Sequence, residues 1–503
     1  MINRVQKVVI VGGGSAGWMT AAALAKHTRG LFSIDLIESE EIGTIGVGEA
    51  TIPSILQFNR GLQIDENEFM RATQASLKLA IQFEDWTRPG HSYMHPFGFY
   101  GVEMEGVPFH HFWLRHQAQG GTMPSDAFCQ NIIAAKAGRY GPATDRLPLP
   151  QLGYAYHFDA GLYAAFLRRM AEKLGARRHE GKVVHVQQDG ESGFIQSVTL
   201  HDGRVIEGDF FIDCSGFRGL LIEQTLKAGY EDWTEWLPCD RAVAVPCERV
   251  PETTPYTRSI AREAGWQWRI PLQHRTGNGY VYCSQFMSDD EAASKLLDRL
   301  DARATASPRP LRFVTGRRKE IWKKNCVAIG LSSGFLEPLE STSIHLILTS
   351  ITRLLFLFPG DTFDPATIDR FNAYSRAEVE EVRDLLVLHY TGTEREDTPF
   401  WRHCRAIRRP DTLAQRISMF EQNGNIVLVP SELFREPSWF SVMTGQGIRA
   451  RSYHPFANIP PDAELARRFD LLASDVRKRV QSLPTHDEFL RAHCAAPAPE
   501  MMA

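Results

Sequence analysis

KVVIVGGGSAGWMTAAALAKH, residues 7–27, decides the fold. Lys7 to Val11 is a continuous apolar run of strand type, a glycine-rich turn follows, and an alanine-rich helical stretch comes directly after it. Gly12, Gly14 and Gly17 spell GxGxxG across that turn, and SIDLIES (33–39) supplies a second strand ending in Glu38, 21 residues past Gly17. A lone GxGxxG is weak; between a strand and a helix, with an acid closing the next strand, it is a dinucleotide fingerprint. The glycines let the backbone approach a pyrophosphate at the helix start around Ser15 and Ala16, where unpaired N–H groups and the helix dipole favour an anion. Glu38 would accept ribose hydroxyls and disfavours a 2′-phosphate, which points to FAD or NAD rather than NADP. The bland alternative is a glycine-rich turn with no ligand.

The 503 residues exceed one small domain. A hydrophobic content of 43% and a charged content of 23% suit a globular protein. A net charge of −4 argues against nucleic acid or an anionic membrane as the main partner. The eight cysteines form no CxxC pair, so neither zinc nor a disulfide framework is indicated, and no metal is expected. The N-terminus has no signal-peptide layout, and the longest apolar stretch, Ile344 to Phe358, is interrupted by Arg353 and too short to span a bilayer. A cytoplasmic location is expected.

A second stretch, NCVAIGLSSGFLEPLESTSIHLILTSITRLLFLF (325–358), gives a short buried strand, a loop with two glycines and two carboxylates, and an apolar helix. Ser341, Thr342 and Ser343 stand where an N-cap belongs. A helix start is an anion site, so Glu337 and Glu340 beside it are either caps or functional carboxylates.

Between these anchors, GTIGVGEATIPS (43–54) is a glycine-rich loop, and Asp65 to Trp86 is expected to be a helix with Lys78 beside its apolar stripe. Residues 87–150 are rich in Gly, Pro, His and aromatics, which suggests an insertion closing over a site. Their histidine spacings match no standard metal motif. A helix over Ala160 to Leu174, two strands with Asp202-Gly203 as the following hairpin turn, and the strand GDFFIDCSG (208–216) restore the α/β pattern. Over 240–290 strands dominate, with WQWRIP and YVYCSQF flanking a TGNG turn, and Trp266 and Trp268 on one face. Beyond about 360 the chain is mainly helical, ending in a disordered tail.

The accumulated motifs identify a family. GGGSAGW (12–18), VGEATIP (47–53), Lys78, HPFG (95–98), DCSG (213–216), WQWRIP (266–271), GFLEPLEST (334–342) and DTPFW (397–401) resemble the FAD-dependent tryptophan halogenases over most of the chain. The resemblance implies an α/β, Rossmann-type, flavin monooxygenase-like domain with a mainly helical substrate-binding or lid domain. Residues 1–86 and 151–360 would form the FAD-binding and halide-activating module and 87–150 the insertion lining the substrate site. Residues 361–490 would form the helical subdomain and 491–503 the tail. In this family reduced flavin captures oxygen and halide becomes hypohalous acid, which passes to a lysine corresponding to Lys78.

The resemblance further implies FAD along Gly12, Gly14, Ser15, Ala16 and Gly17, with Glu38, Ala50, Asp213, Gly330 and Gly334 completing its pocket. Halide would lie at Thr342 and Ser343, and Glu340 would work with Lys78 and accept the ring proton. His95 and Phe97 would sandwich the aromatic substrate, while Trp266 and Trp268 would keep it from the flavin; ordinary sheet core is the alternative for that pair. One fingerprint leaves no nicotinamide domain, so a separate flavin reductase is the expected partner, and a homodimer is left open. Two departures stand out. LESTS replaces LESTG, placing a Cβ beside the halide at Ser343, and no amino-acid-gripping residues align within 420–455, where Glu432, Phe434 and Trp439 lie. Indole or another electron-rich ring is therefore as good a candidate substrate as tryptophan. The competing reading is a single-component flavin monooxygenase.

Overall fold

Strand Lys7–Val11 lies inside a six-stranded sheet, flanked in parallel by Ser33–Glu38 on one side and Phe210–Asp213 on the other. Arg177–Glu180 and Cys326–Ala328 extend the parallel run, and the short antiparallel strand Trp322–Lys323 closes one edge. Val8, Val9, Ile10, Phe210, Phe211 and Ile212 are fully buried. An unbroken apolar strand is what a sheet covered on both faces requires. Helix Ser15–Thr28 packs on helix Ala160–Lys173 and on helix Ser343–Phe356.

The computed structural model describes residues 5–41, 48–142, 147, 149–430 and 432–497. The chain forms two compact units, each of three segments. Met1–Gln74, Phe158–Thr234 and Phe313–Glu380 make the first; Ala75–His157, Glu235–Arg312 and Glu381–Ala503 make the second. The first is mixed α/β with a parallel sheet. The second is built on a seven-stranded sheet ordered Arg309–Arg312, Arg241–Glu248, Arg275–Tyr282, Gly265–Pro271, Tyr256–Arg262, Ala80–Glu84, Ser92–Pro96. All its pairings are antiparallel except that of Tyr256–Arg262 with Ala80–Glu84. Among the described residues no helix is long and apolar enough to cross a membrane.

Several expectations change. Residues 235–312 pack with 75–157 rather than with the fingerprint module, because the parallel pairing of Tyr256–Arg262 with Ala80–Glu84 commits both segments to one sheet. The helix expected over 65–86 ends after one short piece, Glu66–Ala72, capped by Asp65, whose carboxylate accepts from the Glu68 amide at 2.8 Å. Gln74 then adopts φ +56°, and the chain continues as strands Ser76–Lys78 and Ala80–Glu84. Leu77, Leu79, Ile81 and Phe83 alternate with Lys78, Ala80, Gln82 and Glu84, a period of two that belongs to a strand. TGNG is likewise part of a strand: Gly277 pairs with Ile270, and the turn is made by Leu272, whose amide donates to the Arg275 carbonyl. Residues 43–47 of the polar loop and the end of the tail lie outside the described residues.

Candidate active site

In the first unit, the fingerprint turn is shaped by contacts that exclude side chains. Gly12 has φ +117°, and a Cβ there would lie 2.1 Å from the Cys214 carbonyl oxygen. A Cβ on Gly17 would lie 1.8 Å from the Gly12 oxygen, so the helix rests on the turn through bare backbone. At Gly14, the N-cap, a Cβ would meet nothing within 4 Å. No side chain caps this helix and no acid stands in its first turn. Its N–H groups thus face a cradle open to an anion, which fits the pyrophosphate of a dinucleotide.

Glu38 closes its strand beside that cradle, close enough that a Cβ on Gly13 would meet its carboxylate. One carboxylate oxygen accepts from Arg178 Nε at 2.5 Å and the other from Trp18 Nε1 at 3.2 Å. Each oxygen has a second lone pair, so ribose hydroxyls can still be accepted. Asp213 is occupied differently. One oxygen accepts the Ser215 amide at 2.9 Å and the other the amides of Leu221 and Ile222, both at 2.8 Å. Its charge organises the DCSG turn. Ala50 is buried at the end of strand Gly48–Ala50. Gly330 approaches Ala16, since a Cβ there would lie 2.7 Å from the Ala16 Cβ. Gly334 lies in a two-residue strand against Gly316–Arg318.

The same unit holds the second anion-type helix start. Thr342 is the N-cap of helix Ser343–Phe356 but makes no side-chain cap bond, and the first turn carries no acid. Glu337 and Glu340 are both buried, Glu337 at the start of the short turn Pro338–Glu340. The left-handed residue is Ser341, at φ +59°. Ser343 is the first residue of the helix, so its Cβ brings no backbone strain; the restriction anticipated at Ser343 falls instead on Ser341.

In the second unit, Lys78 is fully buried in strand Ser76–Lys78. Its Nζ lies 5.0 Å from the centroid of the Phe97 ring, a cation–π distance. His95 is buried on strand Ser92–Pro96, its ring 6.0 Å from that of Phe434. The Phe97 amide donates to the Leu79 carbonyl at 2.9 Å. Asn131 Nδ2 donates to the Gly153 carbonyl at 2.6 Å, and a Cβ on Gly153 would lie 2.2 Å from the Phe97 carbonyl oxygen. Lys78 thus faces the Phe97 ring, and His95, two residues before Phe97 in the chain, faces that of Phe434.

Phe434 is held by Trp439 and Glu432 of its own segment together with Arg416, a residue that the sequence did not single out. Trp439 Nε1 donates to the Phe434 carbonyl at 3.1 Å, and the Arg416 guanidinium lies 4.2 Å from the Trp439 ring. Glu432 accepts from Arg416 at 2.5 Å and from the Val429 amide at 3.1 Å, so it braces this loop. Trp266 and Trp268 are buried on one strand with ring centroids 6.1 Å apart. The Trp268 indole covers Gly279 so closely that a Cβ there would sit 2.0 Å from the ring. The histidines of FHHFWLRH serve packing: His110 contacts the Glu436 carboxylate at 2.6 Å and the Gly424 carbonyl at 2.8 Å, and His111 Nδ1 accepts the His454 amide.

Comparison with known proteins gives a consistent picture. The sequence model of the tryptophan halogenase family matches residues 7–462. Xcc4156, a flavin-dependent halogenase from Xanthomonas campestris, is 49% identical with a TM-score of 0.96, over 99% of this chain and 100% of that one. BrvH, a flavin-dependent halogenase from Brevundimonas sp. BAL3, is 44% identical with a TM-score of 0.94, over 98% of this chain and 100% of that one. The tryptophan 6-halogenase ThaL from Streptomyces albogriseolus is 36% identical, over 98% of this chain and 99% of its own length.

Proposed function

The chain belongs to the tryptophan halogenase family, and from that premise we propose that it uses reduced FAD, oxygen and chloride or bromide to halogenate an indole-type ring, indole or a tryptophan-like compound. The observation that carries this reading is the burial of the Lys78 amine against the Phe97 ring. Burying a lysine amine is costly whether it is held charged or driven neutral, and ionisable groups buried at such cost concentrate at functional positions.

When bound, FAD supplies the oxygen activation that converts halide to hypohalous acid. The chain's own residues do the rest. The amides at Gly14, Ser15, Ala16 and Gly17 hold the pyrophosphate, and Glu38 holds the ribose. Gly12, whose own amide donates to the Ile37 carbonyl, lets the turn pass close to the pyrophosphate. Ala50, Gly330 and Gly334 shape the flavin pocket, and Asp213 acts by fixing its turn. The uncapped helix start at Thr342 and Ser343 retains the halide. Lys78 orients the electrophilic halogen as a haloamine or by hydrogen bonding, and Glu340 accepts the proton released from the ring. His95 and Phe97 hold the substrate plane, with Trp266 and Trp268 screening it from the flavin. The mainly helical segments after residue 381 supply Phe434 to the substrate wall. Reduced FAD comes from a separate flavin reductase.

The test is an assay with FAD, NADH, a flavin reductase, oxygen, bromide or chloride, and either indole or tryptophan, read by mass spectrometry. Lys78→Ala is expected to abolish halogenated product and leave FAD binding intact. Halogenation by Lys78→Ala at the parent rate refutes the role of Lys78, and parent-level turnover without reductase refutes the two-component arrangement.

A further inference from the structure

Lys78 stands on a strand of only three residues, too short to hold its own register firmly. Its antiparallel partner is strand Ala155–Asp159, with Ser76 opposite His157, Leu77 opposite Tyr156 and Lys78 opposite Ala155. Two buried histidines grip this strand from different directions.

His486 opens the C-terminal helix His486–His493, which carries a full capping box at Thr485 and Glu488. Its Nδ1 lies 2.7 Å from the Thr253 carbonyl oxygen, which can only accept, so the proton is on Nδ1. Nε2 therefore carries a lone pair, and it accepts the Leu77 amide at 3.1 Å. A hydrogen-bond account fixes the second ring as well. The Ser76 hydroxyl donates to the Pro271 carbonyl at 2.5 Å, leaving its oxygen to accept from His157 Nδ1 at 3.2 Å. His157 Nε2 then accepts the Thr257 hydroxyl at 2.8 Å. Both tautomers follow from partner chemistry, with the proton on Nδ1 in each. Side chains alternate along a strand, so Ser76 and its partner His157 share the face of Lys78. Burial first, then the Lys78 charge and His486, press the His157 basicity well below its ordinary value.

We propose that His157 and His486 are positioning residues for Lys78, clamping its strand through the Ser76 side chain and the Leu77 amide while remaining neutral, so that neither adds a positive charge beside it. This rests on the reading of Lys78 as the residue that directs the halogen. A lysine displaced by about 1 Å loses its grip on the halogen, and misplacement of that size costs roughly a hundredfold in well-oriented reactions.

The experiment uses the full chain with FAD, reductase, NADH, oxygen, bromide and indole, with monochlorodimedone added in parallel to trap free hypohalous acid. It reads halogenated indole per reduced flavin consumed, trapped halogen, and FAD affinity. His157→Ala and His486→Ala are each expected to lower indole product per flavin by about tenfold or more, raise trapped halogen, and leave FAD affinity at the parent value. His486→Gln, whose amide oxygen can accept the Leu77 N–H, is expected to recover most of the yield. An unchanged yield in both alanine variants overturns the proposal. So does a loss shared equally by FAD affinity and flavin reoxidation, which marks general damage. If an alanine variant does not fold, the pair His486→Gln and His486→Asn decides: equal yields overturn the proposal, and loss only with the shorter asparagine supports it. Lys78→Ala, run alongside, separates the two readings. Parent-level product from that variant removes the premise about Lys78; its inactivity together with full coupling in the histidine variants removes only the clamp.

Discussion

At the scale of single residues, Ser343 concentrates the question of halide choice. It opens a helix whose first N–H groups have no side-chain cap, and on the proposed reading its hydroxyl and Cβ would border the halide held there. Ser343→Gly is expected to raise the bromide-to-chloride ratio of kcat/KM several-fold by removing that bulk. It should also cost the helix about 0.5–1 kcal/mol through added backbone freedom, measurable as a lower urea midpoint. An unchanged ratio would place the halide elsewhere. Sequence could name the residue types here, because LESTS is contiguous. It could not assign the left-handed residue, since the φ of Ser341 is dictated by how the turn Pro338–Glu340 meets the helix. Phe434 was still harder to read: its place against His95 depends on Trp439 and Arg416, which local sequence does not connect to strand Ser92–Pro96.

At the scale of elements, the strand–turn–helix–strand at the start was legible because the signals that mark it, an apolar run, spaced glycines and a closing acid, all lie within one short stretch of sequence. Strand Ser76–Lys78 was not. Three residues carry too little periodicity to compete with a plausible helix, and their partners lie near residue 157 and in the C-terminal helix. TGNG misled for a similar reason: Gly279 exists to accommodate the Trp268 indole across the strands, a requirement that local sequence records only as a turn signal. Gly279→Ala should therefore cost about 1–3 kcal/mol, the usual range for overpacking. In a Trp268→Ala background the same change should be close to neutral, because the ring it strikes is gone. Urea unfolding of the four proteins measures the coupling, and additivity within error would show that the indole does not press on Gly279.

At the scale of the whole molecule, acid sensitivity is expected to come from the second unit. Burial is the leading cause that pushes His486 down to about 4 and His111 to about 3, against an ordinary 6.5. The unfolded chain then binds more protons than the folded one throughout that interval. Stability is fully present above about pH 6.5 and declines as the pH falls toward the folded values. Between pH 7 and 5, His486→Gln should lose about 2 kcal/mol less than the parent, from 1.36 kcal/mol per pH unit over the interval from 6.5 to 5. Urea midpoints at the two pH values check this; equal losses would mean that His486 is not held neutral.

The three-segment make-up of each unit has a consequence for biosynthesis. The fingerprint strand, turn and helix leave the ribosome well ahead of strand Cys326–Ala328, which completes their sheet beside Phe210–Asp213 and emerges some three hundred residues later. At ordinary elongation rates that is a wait of roughly half a minute. Over that time the sheet is incomplete: Lys7–Val11 has only Ser33–Glu38 beside it until Phe210–Asp213 emerges, and Phe210–Asp213 then waits for Cys326–Ala328. Soluble yield should thus depend on chaperone supply and growth temperature more than on the stability of the finished protein.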